Sequence, residues 1–252
     1  MKLVTYNIRC DCGADGANNF CFRKPLILKK LEQEKPDIIC FQEVMSHVAD
    51  WLRQNLNDYV VVGCGRGKEL GDEQMTVAFL KEKFNLMKMD TYWMSETPFV
   101  PGSRYPEQSN CPRTCTELVL QERESKQVFR LIDTHLDHVG ALVRTLGLKQ
   151  ILKKLEGEQF FPEIPVIITG DFNATPEDDE MKVIAEYPGF TDVTAGIGTT
   201  WHDYMRRPDF PQIDYIFVKG GISCEKVEKW TDEENGVYLS DHFPVCAILH
   251  FE

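Results

Sequence analysis

The amino-acid sequence predicts an α/β fold in which two β-sheets are stacked face to face. Short hydrophobic runs, rich in β-branched and aromatic side chains, recur along the chain and predict buried strands. Segments with helical spacing separate the runs near both ends of the chain, whereas the runs in the middle follow one another directly. Single helices between strands would cover one side of a sheet, and antiparallel runs in the middle favour a second sheet stacked on the first.

In the first third of the chain, predicted strands and helices alternate. Apolar side chains three and four positions apart indicate a helix that Pro36 ends. Ser46 is a candidate N-cap for the next helix, because its hydroxyl can accept a backbone hydrogen bond there. In chain order we predict a strand at 2–7, a helix at 23–34, a strand at 38–41, a helix at 46–56 and strands at 76–80 and 86–94.

A long loop is predicted at residues 95–112, which include four prolines and one glycine. Loops of this length are usually functional or disordered, and we predict that this one forms one wall of a binding pocket. In the second half of the chain, Thr175 and Pro176 are predicted to open a helix, with the threonine capping it and the proline in its first turn. The other predicted elements are strands at 114–121 and 127–135, a helix at 141–155 and strands at 166–169, 213–218, 222–227 and 243–249.

Length and composition are those of one globular domain, which we predict over residues 1–252. The apolar share of 42% is enough for a sizeable core. No apolar stretch reaches the ~18 residues of a membrane-spanning helix, and the chain starts in a strand without the pattern of a secretory signal. Nine cysteines without a regular framework predict free thiols in a reducing compartment. We therefore expect a cytoplasmic protein.

The formal net charge of −12 bears on possible partners. Proteins that follow long nucleic-acid backbones usually carry a basic footprint. Here the longest basic runs are pairs such as Lys29-Lys30 and Arg206-Arg207. The sequence therefore disfavours long duplex DNA as a partner.

Acidic, amide and imidazole side chains stand at the ends of the predicted strands. If these ends meet at one rim of a sheet, several carboxylates, amides and histidines converge there. Such a group can bind a hard cation and handle protons, which predicts a metal-assisted hydrolase. The polar strand ends are Asn7, Gln42-Glu43, His135, Asp171 with Asn173, Asp214 and the cluster Ser240-Asp241-His242.

Six motifs that contain these residues occur in the order seen in the endonuclease/exonuclease/phosphatase superfamily. The sequence resembles this superfamily, which includes deoxyribonuclease I and the poly(A) deadenylases, from Tyr6 to His242. The resemblance implies a four-layer α/β/β/α sandwich with two stacked mixed β-sheets and the site at one rim. The motifs are Tyr6-Asn7, Gln42-Glu43, Thr134-His135-Leu136, Gly170-Asp171-Phe172-Asn173, Ile213-Asp214-Tyr215 and Ser240-Asp241-His242.

The resemblance also implies a metal site. Glu43 would be the principal ligand of Mg²⁺ (or Mn²⁺), and a lone carboxylate at the end of a buried strand is costly unless it is paired or metal-bound. Asn7 would support the metal and the phosphate, and Asp241 would be the second carboxylate at the metal. Carboxylate oxygens with retained waters suit such a hard cation.

Five residues are implied to act on the phosphate and the attacking water. Asp171 would position the water, and an extended backbone would point Asn173, two residues further, the same way. Asp214 and His242 resemble a dyad of the superfamily, in which the histidine is either a general base or a cationic brace for the phosphate. His135 would donate to a non-bridging phosphate oxygen.

The sequence departs from known subfamilies beside two motifs. Arg9 follows the first motif without the acidic residue typical of abasic-site nucleases, and Asp137-His138 stand where deadenylases tend to place a lysine. Both departures weaken the case for a nucleic-acid substrate. Arg9, Arg113 and His138 either contact a phosphate or hydroxyls of the substrate or are solvated surface groups.

Together these features predict a divalent-metal-dependent phosphoesterase that hydrolyses a small or short single-stranded phosphate ester by in-line attack of water. One alternative is a nuclease or deadenylase that acts on nucleic acid. Another is a catalytically inactive binding module of the same fold, against which the complete set of motifs argues. Trp201 and His202 either line the pocket or pack in the core.

Overall fold

The computed structural model describes residues 1–252 and contains two six-stranded β-sheets packed face to face. Three groups of buried apolar side chains hold the layers together. One group lies between the two sheets, and each of the others lies between one sheet and the helices on its outer face. The predicted four-layer α/β/β/α sandwich with two stacked mixed β-sheets is confirmed.

The first sheet carries the first and last long strands of the chain. It consists of β1 (Lys2–Asn7), β2 (Ile38–Val44), β3 (Tyr59–Val62), β4 (Gln74–Leu80), β11 (Ile222–Lys229) and β14 (Val245–Phe251). From edge to edge the order is β11-β14-β1-β2-β4-β3. Only β1 and β2 pair in parallel. The helices α1 (Phe20–Glu34) and α2 (Ser46–Asn55) cover the outer face.

The second sheet is formed by the middle of the chain. It consists of β5 (Phe84–Trp93), β6 (Thr114–Glu122), β7 (Val128–His135), β8 (Val166–Asp171), β9 (Thr191–Asp192) and β10 (Asp214–Lys219). The order is β5-β6-β7-β8-β10-β9, and only β7 and β8 pair in parallel. The helix α3 (Ala141–Glu156) packs on the outer face. The hairpin β12 (Glu233–Glu234) and β13 (Val237–Tyr238) lies outside both sheets.

Strand register brings the polar strand ends to one rim of the sandwich. The last residues of β7 and β8, His135 and Asp171, are paired across the parallel ladder. Because β10 runs antiparallel to β8, its first residue, Asp214, also pairs with Asp171. In the first sheet, Asn7 at the end of β1 pairs with Gln42, directly before Glu43.

The caps and short elements differ from the sequence prediction. Ser46 begins α2, but the N-cap position belongs to Met45 and no side chain caps the helix, because Ser46 already lies inside it. Three strand features were not predicted: β3 on a sheet edge, although its four residues are aromatic or β-branched, and β9 and the hairpin β12–β13, whose two-residue strands are too short to give a hydrophobic pattern. No helix combines the length and the hydropathy that crossing a membrane requires.

The prediction that a helix opens at Thr175 is wrong. Asp178 accepts hydrogen bonds from the backbone N–H and the hydroxyl of Thr175, at 2.7 and 3.1 Å. This contact resembles that of a helix N-terminus, but Asp178 itself has extended backbone, with φ −70° and ψ 138°, so the turn does not continue into a helix. Helical backbone begins only with the 3₁₀ turn Asp179–Met181, which leads into the short α4 (Lys182–Ala185).

A buried ion-pair network attaches α3 to the second sheet. Arg130 and Glu117, on neighbouring strands, are each 1% exposed and lie 2.5 Å apart. Lys154 of α3 reaches Glu117 at 2.9 Å, and Glu158, just beyond the helix, contacts Arg130 at 3.0 Å. Breaking a buried ion pair leaves an uncompensated charge, so this network fixes the helix on the strands.

Glu158 gives this network a pH dependence. Burial works against its charge, but hydrogen bonds from Lys88, the Phe160 N–H and Arg130 outweigh burial and lower the pKa of Glu158 to about 2. Because this pKa is depressed in the fold, the carboxylate stabilises the fold above about pH 4.5 and loses that effect as the pH falls towards 2. After solvent screening, Glu158→Gln should lower the free energy of unfolding at neutral pH by on the order of 1 kcal/mol.

Urea unfolding of the wild-type protein and of Glu158→Gln over a pH series measures this effect. The two stabilities should converge as the pH falls towards 2. Glu124→Gln, at an exposed turn, is the control and should change little at any pH. A stability difference that stays constant down to the lowest pH would contradict the assigned pairing.

Candidate active site

The rim of the sandwich forms a polar site where strands of both sheets end. Gly170 lets β8 lie close against β7 there, since a Cβ atom at this position would stand 1.8 Å from the Thr134 carbonyl oxygen. Its φ of 138° also favours glycine. The next residue, Asp171, is therefore held beside His135.

A single amide links the carboxylates of the two sheets. The Asn7 Nδ2 atom donates to Glu43 Oε1 and to Asp171 Oδ2, both at 2.9 Å. The orientation of this amide follows from its oxygen, which accepts a hydrogen bond from the Arg9 N–H at 3.0 Å. Asn7 is fully buried. It thus supports the two carboxylates through its nitrogen, and its oxygen points to the backbone.

Glu43 is presented to the site by an irregular backbone. The register of β2 against β4 shifts between Phe41 and Val44, and Glu43 has a φ of 61°. Its Oε2 accepts the Cys10 N–H at 2.8 Å. Burial works against its charge, but the hydrogen bonds from Asn7 and Cys10 outweigh burial and lower the pKa of Glu43. Glu43 is therefore ionised.

Arg9 lies among the carboxylates of the first sheet. Its Nε and Nη2 atoms donate to Asp15 at 3.2 Å each. The guanidinium also lies 3.8 Å from Asp241 and 4.0 Å from Glu43. Asp15 lacks any strand pattern around it, which is why the sequence did not single it out. Arg9 therefore partly neutralises Glu43 and Asp241 and lines the cavity beside them.

Asp214 and His242, the predicted Asp–His dyad, lie within hydrogen-bonding distance of each other. The His242 Nδ1 atom lies 2.9 Å from Asp214 Oδ2, and its Nε2 atom lies 3.7 Å from Asp171 Oδ2. Burial alone would lower the pKa of His242, but Asp214 and Asp171 outweigh burial and raise it to about 10. Burial and the charge of Asp214 raise the pKa of Asp171 to about 7.

His135 and Asn173 form a second pair beside Asp171, whose Oδ2 atom lies 3.4 Å from His135 Nε2. The Asn173 Nδ2 atom donates to His135 Nε2 at 2.9 Å, which makes this nitrogen an acceptor and places the proton of a neutral ring on Nδ1. Burial and the nearby charges of Arg113 and Arg66 hold the pKa of His135 well below its ordinary value. His135 is therefore uncharged.

The expectation of extended backbone at Asp171 and Asn173 is wrong. The strand ends at Asp171, and Asn173 has a φ of 49° in the left-handed region. The Asn173 N–H donates to Asp171 Oδ1 at 2.9 Å, which closes a tight turn. The turn directs Asn173 towards His135, so the two side chains come together through the turn.

Two arginines form a further part of the site. Arg113, directly before β6, is 4% exposed and contacts His138 Nδ1 at 3.0 Å. Arg66 is 5% exposed and donates to Glu73 at 2.9 Å. Burial and the charge of Glu43 raise the pKa of Glu73 to about 7. The sequence did not reveal Arg66 or Glu73, because they lie in a segment without helical or strand periodicity.

A cavity of about 610 Å³ opens at this rim. Of the residues predicted for the site, all but Asn7 and Asp214 line it, and these two lie behind the lining. Trp201 also lines the cavity, whereas His202 packs on Phe243 with ring centroids 3.9 Å apart. The loop at 95–112 contributes only Cys111 to the lining, so it forms less of the wall than predicted. The predicted site residues on the cavity lining are Arg9, Glu43, Arg113, His135, His138, Asp171, Asn173, Asp241 and His242.

The carboxylates of the site fit a divalent cation. Ligand atoms of Glu43, His135 and Asp171 all lie within 4.8 Å of one another. Burial and, to a smaller extent, the charge of Glu43 raise the pKa of Asp241, so the acidic groups oppose one another's ionisation. A hard cation bound by carboxylate oxygens would relieve this repulsion.

Comparison with known families fits this geometry. The sequence profile of the Endonuclease/Exonuclease/phosphatase family matches residues 4–242. The chain belongs to this family. The solved endonuclease/exonuclease/phosphatase from Bacteroides vulgatus is 30% identical, with a TM-score of 0.93 over 100% of this chain and 98% of that one.

More distant relatives differ in their named activities. The mannosyl-6-phosphatase from Bacteroides thetaiotaomicron shares the fold, with 24% identity and a TM-score of 0.90 over 100% of both chains. The CCR4-Not complex 3′-5′-exoribonuclease subunit Ccr4 of Emericella nidulans is 22% identical over 73% of this chain and 37% of its own length. The chain spans about half the length, or less, of the curated relatives it matches.

The bridge made by Asn7 can be tested through stability. Asn7→Ala leaves Glu43 and Asp171 buried without their shared donor, so the free energy of unfolding should fall by about 2 kcal/mol. Urea denaturation in metal-free buffer measures this change. Asn85→Ala, on β5 in the second sheet, is the control, with an expected loss below about 0.5 kcal/mol. Equal losses for the two variants would mean that the bridge does not stabilise the rim.

Proposed function

We propose that this protein is a divalent-metal-dependent phosphoesterase that hydrolyses a small or short single-stranded phosphate ester by in-line attack of water. The observation that carries the proposal is the convergence of Glu43, Asp171 and the Asp214–His242 pair on one cavity. This cavity is lined by carboxylates that could hold a cation, by a pair that could handle a proton and by side chains that could donate to a phosphate. In-line phosphoryl transfer needs these groups, since catalysis rests on positioning and charge stabilisation.

Glu43 and Asp241 are the proposed ligands of Mg²⁺ or Mn²⁺, with Asn7 supporting Glu43 from behind. When bound, the cation supplies Lewis-acid charge for a phosphate oxygen. Arg9 holds part of the neutralising charge beside the same two carboxylates. Its bidentate contact with Asp15 keeps the guanidinium in place at the edge of the cavity.

Asp171 and His242 are the proposed groups that handle the proton of the attacking water. Their facing atoms lie 3.7 Å apart, so both can contact one water molecule. Asp214 fixes the orientation of the imidazole through Nδ1, which directs Nε2 towards Asp171. Both carboxylates are nearly inaccessible to solvent, which strengthens these electrostatic contacts.

His135 and Asn173 are the proposed donors to the non-bridging phosphate oxygens. They lie beside Asp171 and contact each other. A phosphate that replaced this contact would receive the Asn173 amide as a donor, and the neutral imidazole as a second donor once its proton moves from Nδ1 to the freed Nε2. Preorganised donors of this kind stabilise charge that develops in the transition state.

The size and charge of the site support a small substrate. A cavity of about 610 Å³ lies in the range of small-molecule sites. The net charge of −12 and the absence of a basic surface run disfavour long duplex DNA. The relative named a mannosyl-6-phosphatase makes sugar phosphates the first esters to test. The free cysteines support a reducing, cytoplasmic compartment. We also propose that residues 1–252 form a single domain.

Two other functions can be weighed against this proposal. The curated relative named an exoribonuclease supports a nuclease or deadenylase acting on short single-stranded RNA. A catalytically inactive binding module would not need the buried, mutually repelling carboxylates of this site, which are costly to keep. A panel of sugar phosphates, aryl phosphodiesters and oligoadenylate, assayed with Mn²⁺ and with EDTA, separates the three functions. Turnover of the small esters that EDTA abolishes is the expected result.

Glu43→Gln keeps the shape of the side chain but removes its charge. It should weaken Mn²⁺ binding, measured by calorimetry, and lower turnover of an aryl phosphodiester about a hundredfold, or ~3 kcal/mol of transition-state stabilisation. Glu32→Gln, an exposed change on α1, is the matched control and should alter neither value. Wild-type turnover with equally tight Mn²⁺ would remove Glu43 from the metal site.

Duplex DNA should bind weakly at physiological salt. The acidic charge balance offers few phosphate contacts, so a labelled duplex in fluorescence anisotropy should show no submicromolar binding at about 150 mM salt. Short oligoadenylate under the same conditions is the comparison ligand. Tight duplex binding with a steep salt dependence would overturn the preference for small substrates.

A further inference from the structure

Two guanidinium groups on the cavity lining have N–H groups without acceptors. Arg66 and Arg113 are each at least nine-tenths buried, at 5% and 4% exposure, and both line the cavity. The Arg66 Nη1 atom and the Arg113 Nε and Nη1 atoms are buried and make no hydrogen bond. A guanidinium nitrogen can only donate, so each of these groups needs an acceptor that the protein does not supply.

The positive charge of this pair is only partly balanced. Arg66 is paired with Glu73 at 2.9 Å and with the more exposed Asp72 at 3.4 Å. Arg113 has only the His138 ring nitrogen at 3.0 Å, while the Asp137 carboxylate is 4.0 Å from its Nε. An uncompensated buried charge costs several kcal/mol per ion, which a protein rarely tolerates unless an anion offsets the cost in the working state.

The backbone holds both arginines in place. The Arg66 carbonyl oxygen accepts the Trp93 indole N–H at 2.7 Å, and the Arg66 N–H donates to the Glu73 carbonyl at 2.9 Å. The Arg113 carbonyl accepts the Met94 N–H at 2.8 Å. With the backbone fixed, the contacts of Arg66 with Glu73 and of Arg113 with His138 position both guanidinium groups before a ligand arrives. This lowers the entropic cost of binding.

This pair is separate from the reacting groups. Neither arginine makes a hydrogen bond or an ion pair within 4.0 Å with Glu43, Asp171 or His242. We propose that Arg66 and Arg113 form a second anion subsite, which binds a non-reacting phosphate group of the substrate with His138 beside it. Its role in turnover rests on the proposed phosphoesterase function, whereas its binding of an anion does not.

Phosphate suits the subsite because two guanidinium groups present planar sets of N–H donors, which match phosphate oxygens better than a single ammonium does. The subsite adjoins the reacting centre within one cavity of about 610 Å³. That volume accommodates a compact scaffold that carries one reacting and one retained phosphate. The substrate class is therefore a small bisphosphorylated molecule.

Binding of inorganic phosphate to EDTA-treated protein tests the subsite without any turnover. Arg66→Gln removes one charge, and Arg113→Lys keeps the charge but loses the planar donors. Each should weaken phosphate binding, measured by calorimetry, at least about tenfold, on the scale of one lost charge-assisted hydrogen bond. Arg123→Gln, at the far end of β6, removes an equal charge about 30 Å away and is the control. Melting temperatures of all variants show whether each is folded.

His135→Gln separates the two anion positions. If phosphate occupies the arginine subsite, this variant retains its phosphate affinity while both arginine variants lose theirs. If only His135→Gln weakens phosphate binding, the anion binds at the reacting centre. The proposed arginine subsite would then be wrong, while the proposed phosphoesterase function would stand. Weakening in both arginine variants, without hydrolysis of any ester, would support the subsite and count against the proposed function.

Kinetics with a matched substrate pair tests the role of the subsite in turnover. The kcat/KM of fructose 1,6-bisphosphate should exceed that of fructose 6-phosphate by at least about tenfold. This ratio should fall towards one in Arg66→Gln and in Arg113→Lys but not in Arg123→Gln. A wild-type ratio near one, or a high ratio that neither arginine variant changes, would overturn the subsite as a selectivity element.

Discussion

The site depends on one hydrogen-bonded amide that joins the two sheets. Asn7, from the first sheet, donates both to Glu43 of the same sheet and to Asp171 of the second sheet, each at 2.9 Å. Without this donor, two buried carboxylates from different sheets would face each other directly and repel. The sandwich can close at this rim because the amide lies between them. The distance between the proposed cation site and the proposed water site is set by the same side chain.

Acidic and basic side chains alternate at the rim, and the neighbours of each side chain determine the role that we propose for it. Arg9 lies beside Glu43 and Asp241, His242 lies between Asp214 and Asp171, and neutral His135 lies near Arg113 and Arg66. Glu43 and Asp241 share the single charge of Arg9, at 4.0 and 3.8 Å, and are the carboxylates expected to take the cation. Arg66 and Arg113, whose buried N–H groups lack acceptors, are the arginines expected to take an anion. Charge balance in the protein alone is thus incomplete at two adjoining places, and a metal-bound phosphate ester would complete both.

The sequence predicted the rim well because strand ends are local features. A hydrophobic run that stops at Asp171 or His135 is visible in the printed sequence, and strand pairing then aligns those residues across the sheet. The sequence did not identify Arg66 and Glu73 as site residues, because they lie in an irregular segment without helical or strand periodicity. Only the folded backbone of that segment brings the two side chains together at the cavity. The turn at Asn173 was also missed, because the left-handed backbone there depends on the Asp171 side chain accepting its N–H. The helix expected at Thr175 does not form because the backbone of Asp178 is extended and ends the turn that Thr175 opens.

The most direct test of a cation held between the sheets is an anomalous diffraction experiment on crystals grown with Mn²⁺. We expect an anomalous peak beside the Glu43 carboxylate, on the cavity side of the Asn7 bridge. Mn²⁺ bound elsewhere on the protein, with no peak beside Glu43 at millimolar metal, would show that no cation is held between the sheets.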